Sequence, residues 1–395
     1  MAEAWCAAAA AGSLPRPMPN NAPAPTVAMV LPPREGFAAG ATGAIGLLLQ
    51  RLASWPGRYA PVVIGMDLQE KTFFGITFRA AAPTWYPATL ARRYAGGVRR
   101  QTHRLAPSLI EVHNRPEVAL FLARHHPQVP VSLFLHNDPQ DMRQARTAAQ
   151  RTRLLRNLAR VVAVSGFIRD RLHAGIAPAD WRGLVLANCL DLCCIPPSPA
   201  ERDPLLLFAG RVVADKGADS FVRACALALP RLPGWRAEMI GADRFGPDSP
   251  NTEFLRRLRP LADAAGVAML GYKPHADVLA AMARAAVVVV PSRWNEPFGL
   301  TALEAMACGA ALAYAPRGGL PEVVGAAGLP IDPDDPAAMA EALVALCNDP
   351  RRLEELGHLG RARATRFDLP AAAVALDALR DETLDAWRSG RIPPI

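Results

Sequence analysis

The sequence predicts an α/β protein of two parallel-sheet domains with a cleft between them. Three observations carry this. Short apolar runs alternate with helix-like or loop segments, the pattern of strands buried on both faces by crossover helices. The alternation breaks once, at 190–203, where Pro196, Pro197 and Pro199 fall together, and then restarts. The chain has 395 residues, 51% of them hydrophobic, which is long for one domain and comfortable for two.

In the first half the apolar runs 27–31, 62–66, 109–113, 131–136 and 161–165 read as strands. In the second half 205–209, 237–241, 267–271, 287–290 and 311–314 do the same. The division is a disordered Ala/Pro-rich tail (1–25), two Rossmann-like domains (26–195 and 200–370), and a last helical segment (371–395) after Pro370. The tail lacks the basic start and apolar core of a signal peptide. No apolar run reaches the length of a membrane span, and no repeat of solenoid period is visible. The seven cysteines show no metal or paired spacing, with Cys193 and Cys194 adjacent. Reduced thiols and a cytoplasmic location are the expectation.

Charge is uneven along the chain. Residues 1–195 hold 22 Lys+Arg against 11 Asp+Glu, a net of +11. The remainder holds 22 against 25, a net of −3, and the two sum to the overall +8. Only Lys71, Lys216 and Lys273 are lysines; the rest of the positive charge is arginine. Part of the excess lies at Arg92, Arg93, Arg99, Arg100 and Arg104. Another part lies in a predicted helix over 141–160, with Arg146, Arg153, Arg156 and Arg160 on one broad face. A basic face suits nucleic acid, an anionic membrane surface or an anionic acceptor; it also arises as an ordinary solvated surface.

The most informative stretch is 291–309, PSRWNEPFGLTALEAMACG, behind the valine run 287–290. Glu296 sits in the loop after that strand. Gly299 opens a helix that Gly309 closes, and Glu304 lies about one turn in. In open α/β sheets the crevice at the strands' C-terminal ends is where ligands bind. The N–H groups of Phe298, Gly299 and Leu300 point toward it, where a helix start favours anions. A second motif opens the second domain. Gly210-Arg211 ends the first strand there, and Lys216-Gly217 follows after four residues. A planar donor fork plus a point charge suits a diphosphate.

These two motifs resemble those of the family 4 retaining glycosyltransferases, whose fold is GT-B. The family signature is a Glu, seven residues, then Glu-Ala-Met-Ala-x-Gly, and it reads here as Glu296 to Gly309. The family's G-R-x-x-x-x-K-G element, which grips the sugar-nucleotide diphosphate, reads as Gly210 to Gly217. Weaker similarities follow. Gly318-Gly319 with Glu322 stands where the family has a turn near the nucleotide, although Gly-Gly alone is common punctuation. Asn188-Cys189-Leu190-Asp191 stands where the family has Asn-Gly-Val-Asp, and the missing Gly makes it a hinge marker only. The first strand-to-helix turn carries Gly36, Gly40, Gly43 and Gly46, which let a backbone approach a ligand. No G-x-G-x-x-G is present, which argues against a dinucleotide oxidoreductase.

The resemblance implies a nucleotide-diphosphate sugar (UDP- or GDP-linked) as donor. Arg211 and Lys216 would stabilise the departing diphosphate, and Glu304 would bind the ribose. Glu296 with Phe298, Gly299 and Leu300 would hold the sugar, and Gly43 and Glu322 would lie near the donor. His113 and His136 end successive strands and look toward the crevice. The resemblance gives His136 a contact with the sugar or reaction centre; His113 is as well read as structural. The acceptor would be a glycan or a lipid-linked hydroxyl, in envelope polysaccharide or lipopolysaccharide synthesis. Peripheral association with the inner face of the plasma membrane through the basic domain would fit, and nucleic acid would not be a partner. No cofactor or essential metal is implied, and Asp332-Pro333-Asp334-Asp335 reads as a solvated turn. Two alternatives remain. A GT-B phosphorylase would need a pyridoxal phosphate lysine, for which only Lys216 and Lys273 are available in that domain. A degenerate site on a basic surface-binding module would show no nucleotide binding.

Overall fold

The structure is a computed structural model that describes residues 23–38, 40, 42–66, 72–180, 182–244 and 249–391. The expected tail lies outside the described residues as far as position 22. The first sheet is built from β1 (Thr26–Val30), β2 (Ala60–Gly65), β3 (Phe78–Ala80), β4 (Leu109–His113), β5 (Val131–Leu135), β6 (Arg160–Ala163) and β7 (Gly183–Val185). Its order is β3-β2-β1-β4-β5-β6-β7, and every pair is parallel. The second sheet contains β8 (Asp203–Ala209), β9 (Arg236–Ile240), β10 (Val267–Gly271), β11 (Ala285–Val290), β12 (Ala311–Tyr314) and β13 (Leu329–Pro330). Its order is β10-β9-β8-β11-β12-β13, again all parallel. The central strands β4, β5 and β11 are buried at every position, as strands covered on both faces must be.

Helices cover both sheets. The first domain carries α1 (Ala44–Ser54), α2 (Leu90–Leu105), α3 (Pro116–His125), α4 (Ala148–Asn157) and α5 (Gly166–His173). The second carries α6 (Ala218–Ala228), α7 (Glu253–Ala264), α8 (His275–Arg284), α9 (Leu300–Ala307), α10 (Leu320–Val324), α11 (Pro336–Cys347) and α12 (Pro350–Ala364). The last helix, α13 (Leu369–Arg388), lies on the first domain. Its Arg380 forks onto Glu111 of β4 at 2.8 and 2.9 Å, and its Asp377 accepts from the Arg58 N–H at 2.9 Å. The chain thus crosses between domains twice, and the two crossings pair. Leu190 N–H donates to Phe367 O at 2.9 Å, and Leu369 N–H to Leu190 O at 2.7 Å.

The expected helix over 141–160 is corrected. Thr147 starts α4 with a capping box to Gln150, and the helix ends at Asn157. Arg146 therefore precedes the helix, and Arg160 opens β6. Arg151, the best-buried arginine of the group, turns inward and donates to the carbonyls of Leu172, Ala145 and Arg146. The broad basic face reduces to Arg146, Arg153 and Arg156. One cysteine also departs from the expectation of reduced thiols: Cys193 is disulfide-bonded, while Cys189, Cys194, Cys225, Cys308 and Cys347 are free.

Candidate functional site

The site begins where two loops lock together at the C-terminal ends of β8 and β11. The turn Ala214–Lys216 follows β8, and the PSRWNE loop follows β11. The Arg293 and Trp294 N–H groups both donate to Asp215 O, at 2.9 and 3.0 Å. The loops touch at Gly217, where a Cβ would lie 1.8 Å from Pro291 O; only glycine fits. This contact delivers Lys216 to Glu296: Nζ lies 2.5 Å from Oε1, and Glu296 is 7% exposed. The same ammonium stands 4.8 Å from the Trp294 ring centroid. Arg211 is half-buried nearby in sequence, and among the described residues its guanidinium has no hydrogen-bond or ion-pair partner.

Arg293 is the buckle of this arrangement. Its Nη1 and Nη2 grip both oxygens of Asp219 at 2.6 and 3.0 Å, and Nη1 also donates to Ala214 O at 3.1 Å. Nη2 reaches Ser220 Oγ at 2.6 Å, and Nε reaches Asp334 at 3.1 Å. Burial pushes the Asp219 carboxyl up, but the Arg293 bonds outweigh it and the net shift is downward. Asp334 also binds Arg317 at 2.5 Å, and Asp335 caps α11 through Ala337 N–H and Ala338 N–H. The Asp332–Asp335 segment is the solvated turn the sequence suggested, with all three aspartates exposed, and it also braces Arg293, Arg317 and α11.

The helix start behind Glu296 is available. Gly299 has φ 95°, which favours glycine, and the N–H groups of Phe298, Gly299 and Leu300 donate to no other described group. One turn on, Glu304 is 8% exposed. His275 Nε2 lies 2.8 Å from its Oε1, and Arg51 of α1 approaches the same oxygen at 3.8 Å from the other domain. Neither partner was expected. His275 starts α8 just beyond a strand end, a position that strand-end reasoning could have found; the Arg51 contact has no sequence signal.

In the first domain His136 and His113 form one unit. His113 Nδ1 and His136 Nε2 are 2.9 Å apart, and both rings are buried. Asn114, at φ 59°, tops β4 and accepts from the His136 N–H and Asn137 N–H, both at 3.2 Å. Burial lowers the pKa of both histidines, that of His136 to about 4; that of His113 falls well below the usual imidazole range, with His136 and Arg380 adding to the effect of burial. The pair is neutral at pH 7, so one ring nitrogen donates and the other accepts. His113 Nε2 is buried with no partner among the described residues and lines the same small cavity as Asn188.

Two expected donor contacts are spent on the protein itself. The Gly43 N–H, at the start of α1, donates to Glu35 Oε1 at 3.0 Å, and Gly46 N–H joins at 3.1 Å. Glu322 accepts from the Gly166 and Phe167 N–H groups at 2.7 and 2.6 Å, capping α5 of the opposite domain. Beside it Ser165 Oγ donates to Pro297 O at 2.6 Å. Tyr272 OH donates to Gly40 O at 3.1 Å. These contacts, with Arg51 and Glu304, hold the C-terminal edge of one sheet against that of the other. Lys216, Glu296 and the free N–H groups thus gather on one side of the interface, and the His136–His113 pair belongs to the other domain.

Residues 196–363 match the family model described as glycosyl transferases group 1. A D-inositol 3-phosphate glycosyltransferase of Thermobispora bispora is 37% identical over 187 residues, covering 46% of this chain and 44% of that protein. One from Streptomyces bingchenggensis is 35% identical over 228 residues, covering 55% and 48%. The chain therefore spans about half the length of the relatives it matches. Among solved structures, Anabaena HepE in complex with UDP and glucose superposes with a TM-score of 0.72 at 20% identity, over 90% of this chain and 99% of that one. Sucrose-phosphate synthase of Thermosynechococcus elongatus gives 0.74 at 20% identity, over 91% and 100%. Residues 196–363 are thus similar to a glycosyl transferases group 1 domain, and they form the second half of a two-domain GT-B fold.

Proposed function

We propose that the chain is a retaining glycosyltransferase that moves a hexose from a UDP- or GDP-linked donor to an acceptor hydroxyl. The observation that carries this is the convergence of Lys216, Glu296 and three N–H groups at the ends of β8 and β11, where among the described residues those N–H groups are unspent and Arg211 of the same motif is unpaired. The arrangement is stocked for an anion that bears a polyhydroxylated group.

In this reading the bond between the sugar C1 and the diphosphate oxygen breaks, and C1 bonds to the acceptor oxygen on the same face. The acceptor's proton passes to the departing diphosphate. Arg211 and Lys216 stabilise the charge that grows there, being fixed in place beforehand. Lys216 leaves its pairing with Glu296 for the phosphate, which frees Glu296 for the sugar hydroxyls. Glu304, steadied by His275, binds the nucleotide ribose. His136, held by His113, faces the reaction centre as a neutral imidazole. No metal or cofactor is assigned, because the two cations supply the charge. Asp334 and Asp335 are already committed to Arg317, Arg293 and the α11 cap.

The acceptor is proposed to be a glycan or lipid-linked hydroxyl in envelope polysaccharide or lipopolysaccharide synthesis, reached from the cytoplasmic face. The names of the relatives favour a second reading, a phosphorylated cyclitol acceptor. No described helix is long and apolar enough to cross a membrane. A panel of nucleotide sugars tested for protection against thermal unfolding decides the donor. A true donor at a hundred times its Kd adds about 2.7 kcal/mol of stability. A panel in which no nucleotide sugar shifts the transition would favour a degenerate site.

A further inference from the structure

Residues 72–110 contain six arginines and not one acid: Arg79, Arg92, Arg93, Arg99, Arg100 and Arg104. The fold gathers them at one edge of the first domain. β3 is the edge strand, and its alternation sends Phe78 toward Phe37 (stacked at 5.7 Å) and Arg79 to the opposite, α2-covered face, where it is exposed. After Ala80 the chain is laid along α2. Gln101 Nε2 donates to Ala80 O at 2.7 Å, Arg100 to Ala82 O at 2.8 Å, and Arg93 Nε to Thr84 O at 2.7 Å. The helix accepts this segment because it carries Gly96-Gly97. A Cβ at Gly97 would lie 2.3 Å from Ala82 O, and one at Gly96 would lie 2.8 Å from Thr84 Cγ2.

The strapped segment delivers two aromatic rings to the surface. Trp85 is 90% exposed, and Tyr86 rests its OH on Arg92 O at 3.1 Å. Arg92 and Arg99, seven residues apart, share one exposed stripe of α2, with Arg100 beside it. None of the six arginines has an ion-pair partner among the described residues. A nearly bare indole set among uncompensated guanidinium groups has no partner among the described residues. A second copy would bring the same unpaired positive charge. An anionic bilayer complements both features: indole and phenol rings settle at headgroup level, and arginines pair with lipid phosphates.

We infer that the α2–β3 edge of the first domain is a docking face for an anionic lipid surface, with Trp85 as the apolar anchor and Arg79, Arg92, Arg99 and Arg100 as the charged ring. The face is built from first-domain residues and the Lys216–Glu296 pair from second-domain residues, and lipid binding is read without turnover. It also differs from the arginines of α4, where Arg151 faces inward.

The test is co-sedimentation of the full chain with phosphatidylcholine vesicles, with and without phosphatidylglycerol. Binding is expected only with phosphatidylglycerol, and it should weaken as salt shortens the Debye length from roughly 30 Å at 0.01 M to about 8 Å at 0.15 M. Trp85→Ser should lower partition roughly tenfold by removing the interfacial ring. Arg92→Gln, Arg99→Gln and Arg100→Gln together should lower it on the order of a hundredfold, at about fivefold per arginine. Unchanged circular dichroism and melting keep a folding defect out of the result. Reversing Arg146, Arg153 and Arg156 to Glu should leave binding near wild type. The inference is overturned if the wild type ignores phosphatidylglycerol at low salt. It is overturned equally if the α2 variants partition like the wild type, or if the chain binds single-stranded oligonucleotides but not vesicles.

Discussion

Replacing Arg293 by Ala should disable Lys216 without touching it. Arg293 joins the loop that bears Glu296 to the turn that bears Lys216, through two bonds to Asp219 and one to Ala214 O. Its loss leaves Asp219 with Arg223 alone, at 3.6 Å. Breaking a charge-assisted pair of this kind costs about 1.5–3 kcal/mol. The Arg293 side chain is 25% exposed, so solvent trims the figure toward ~2 kcal/mol. In a chain of this size that lowers Tm by several degrees and leaves the protein folded. The effect on function is larger than that on stability. Calorimetry with UDP and with uridine isolates the diphosphate's share of the affinity. Lys216→Ala should reduce the preference for UDP by roughly 10- to 100-fold, the worth of one charge-assisted bond. Arg293→Ala should reduce it to a similar level, and the double variant should be no worse than either single one. Arg293→Lys should recover little, because an ammonium cannot span Asp219 and Ala214 as the guanidinium fork does. An unchanged UDP preference in Arg293→Ala, or losses that multiply in the double variant, would refute the positioning argument.

Three further outcomes are expected. Arg211→Ala should cost on the order of a hundredfold in transfer, as loss of one charge-stabilising donor does, with no change in Tm because the side chain has no partner among the described residues; equal turnover would remove it from the mechanism. Transfer should persist in excess EDTA, and full loss restored by Mg²⁺ or Mn²⁺ would contradict a site whose charge comes from Arg211 and Lys216. Burial holds His113 and His136 below the unfolded pKa of about 6.5, so the unfolded chain takes up protons first as pH falls. Stability should therefore drop between about pH 6.5 and 4, by ~1.4 kcal/mol per unit for each histidine, and His136→Gln should shallow the slope; an identical slope in that variant would show that His136 titrates normally.

Much of the fold could be read from the chain because it depends on local signals. The ten apolar runs are strands, with ends that shift by no more than a few residues. β3, β7 and β13 were missed for a physical reason. They are edge strands of two or three residues, Phe78-Arg79-Ala80, Gly183-Leu184-Val185 and Leu329-Pro330, too short to show a period. The over-long helix at 141–160 came from reading arginine spacing and passing over the Thr147…Gln150 cap. At the site, Lys216 and Glu296 were legible because each motif is one strand end and its turn. What was not legible is what one loop does to another. The Arg293 buckle, the His275 contact with Glu304, and the Glu322 cap on α5 each depend on residues far apart in sequence. Glu322 shows this best: its motif marked a turn near the nucleotide, and its carboxylate instead closes the domain interface in this structure.

The central claim is that the Lys216–Glu296 crevice cleaves a nucleotide-diphosphate sugar. The direct measurement is proton NMR of the full chain incubated with UDP- and GDP-hexoses in excess EDTA, with and without a pooled set of glycan and cyclitol phosphate acceptors. One nucleotide sugar should lose its anomeric signal as nucleoside diphosphate appears, the new glycosidic or free sugar should form first as the donor's anomer, and Lys216→Ala should suppress the change. A folded wild-type chain that neither binds nor consumes any of the nucleotide sugars, or that yields the opposite anomer, would contradict the account.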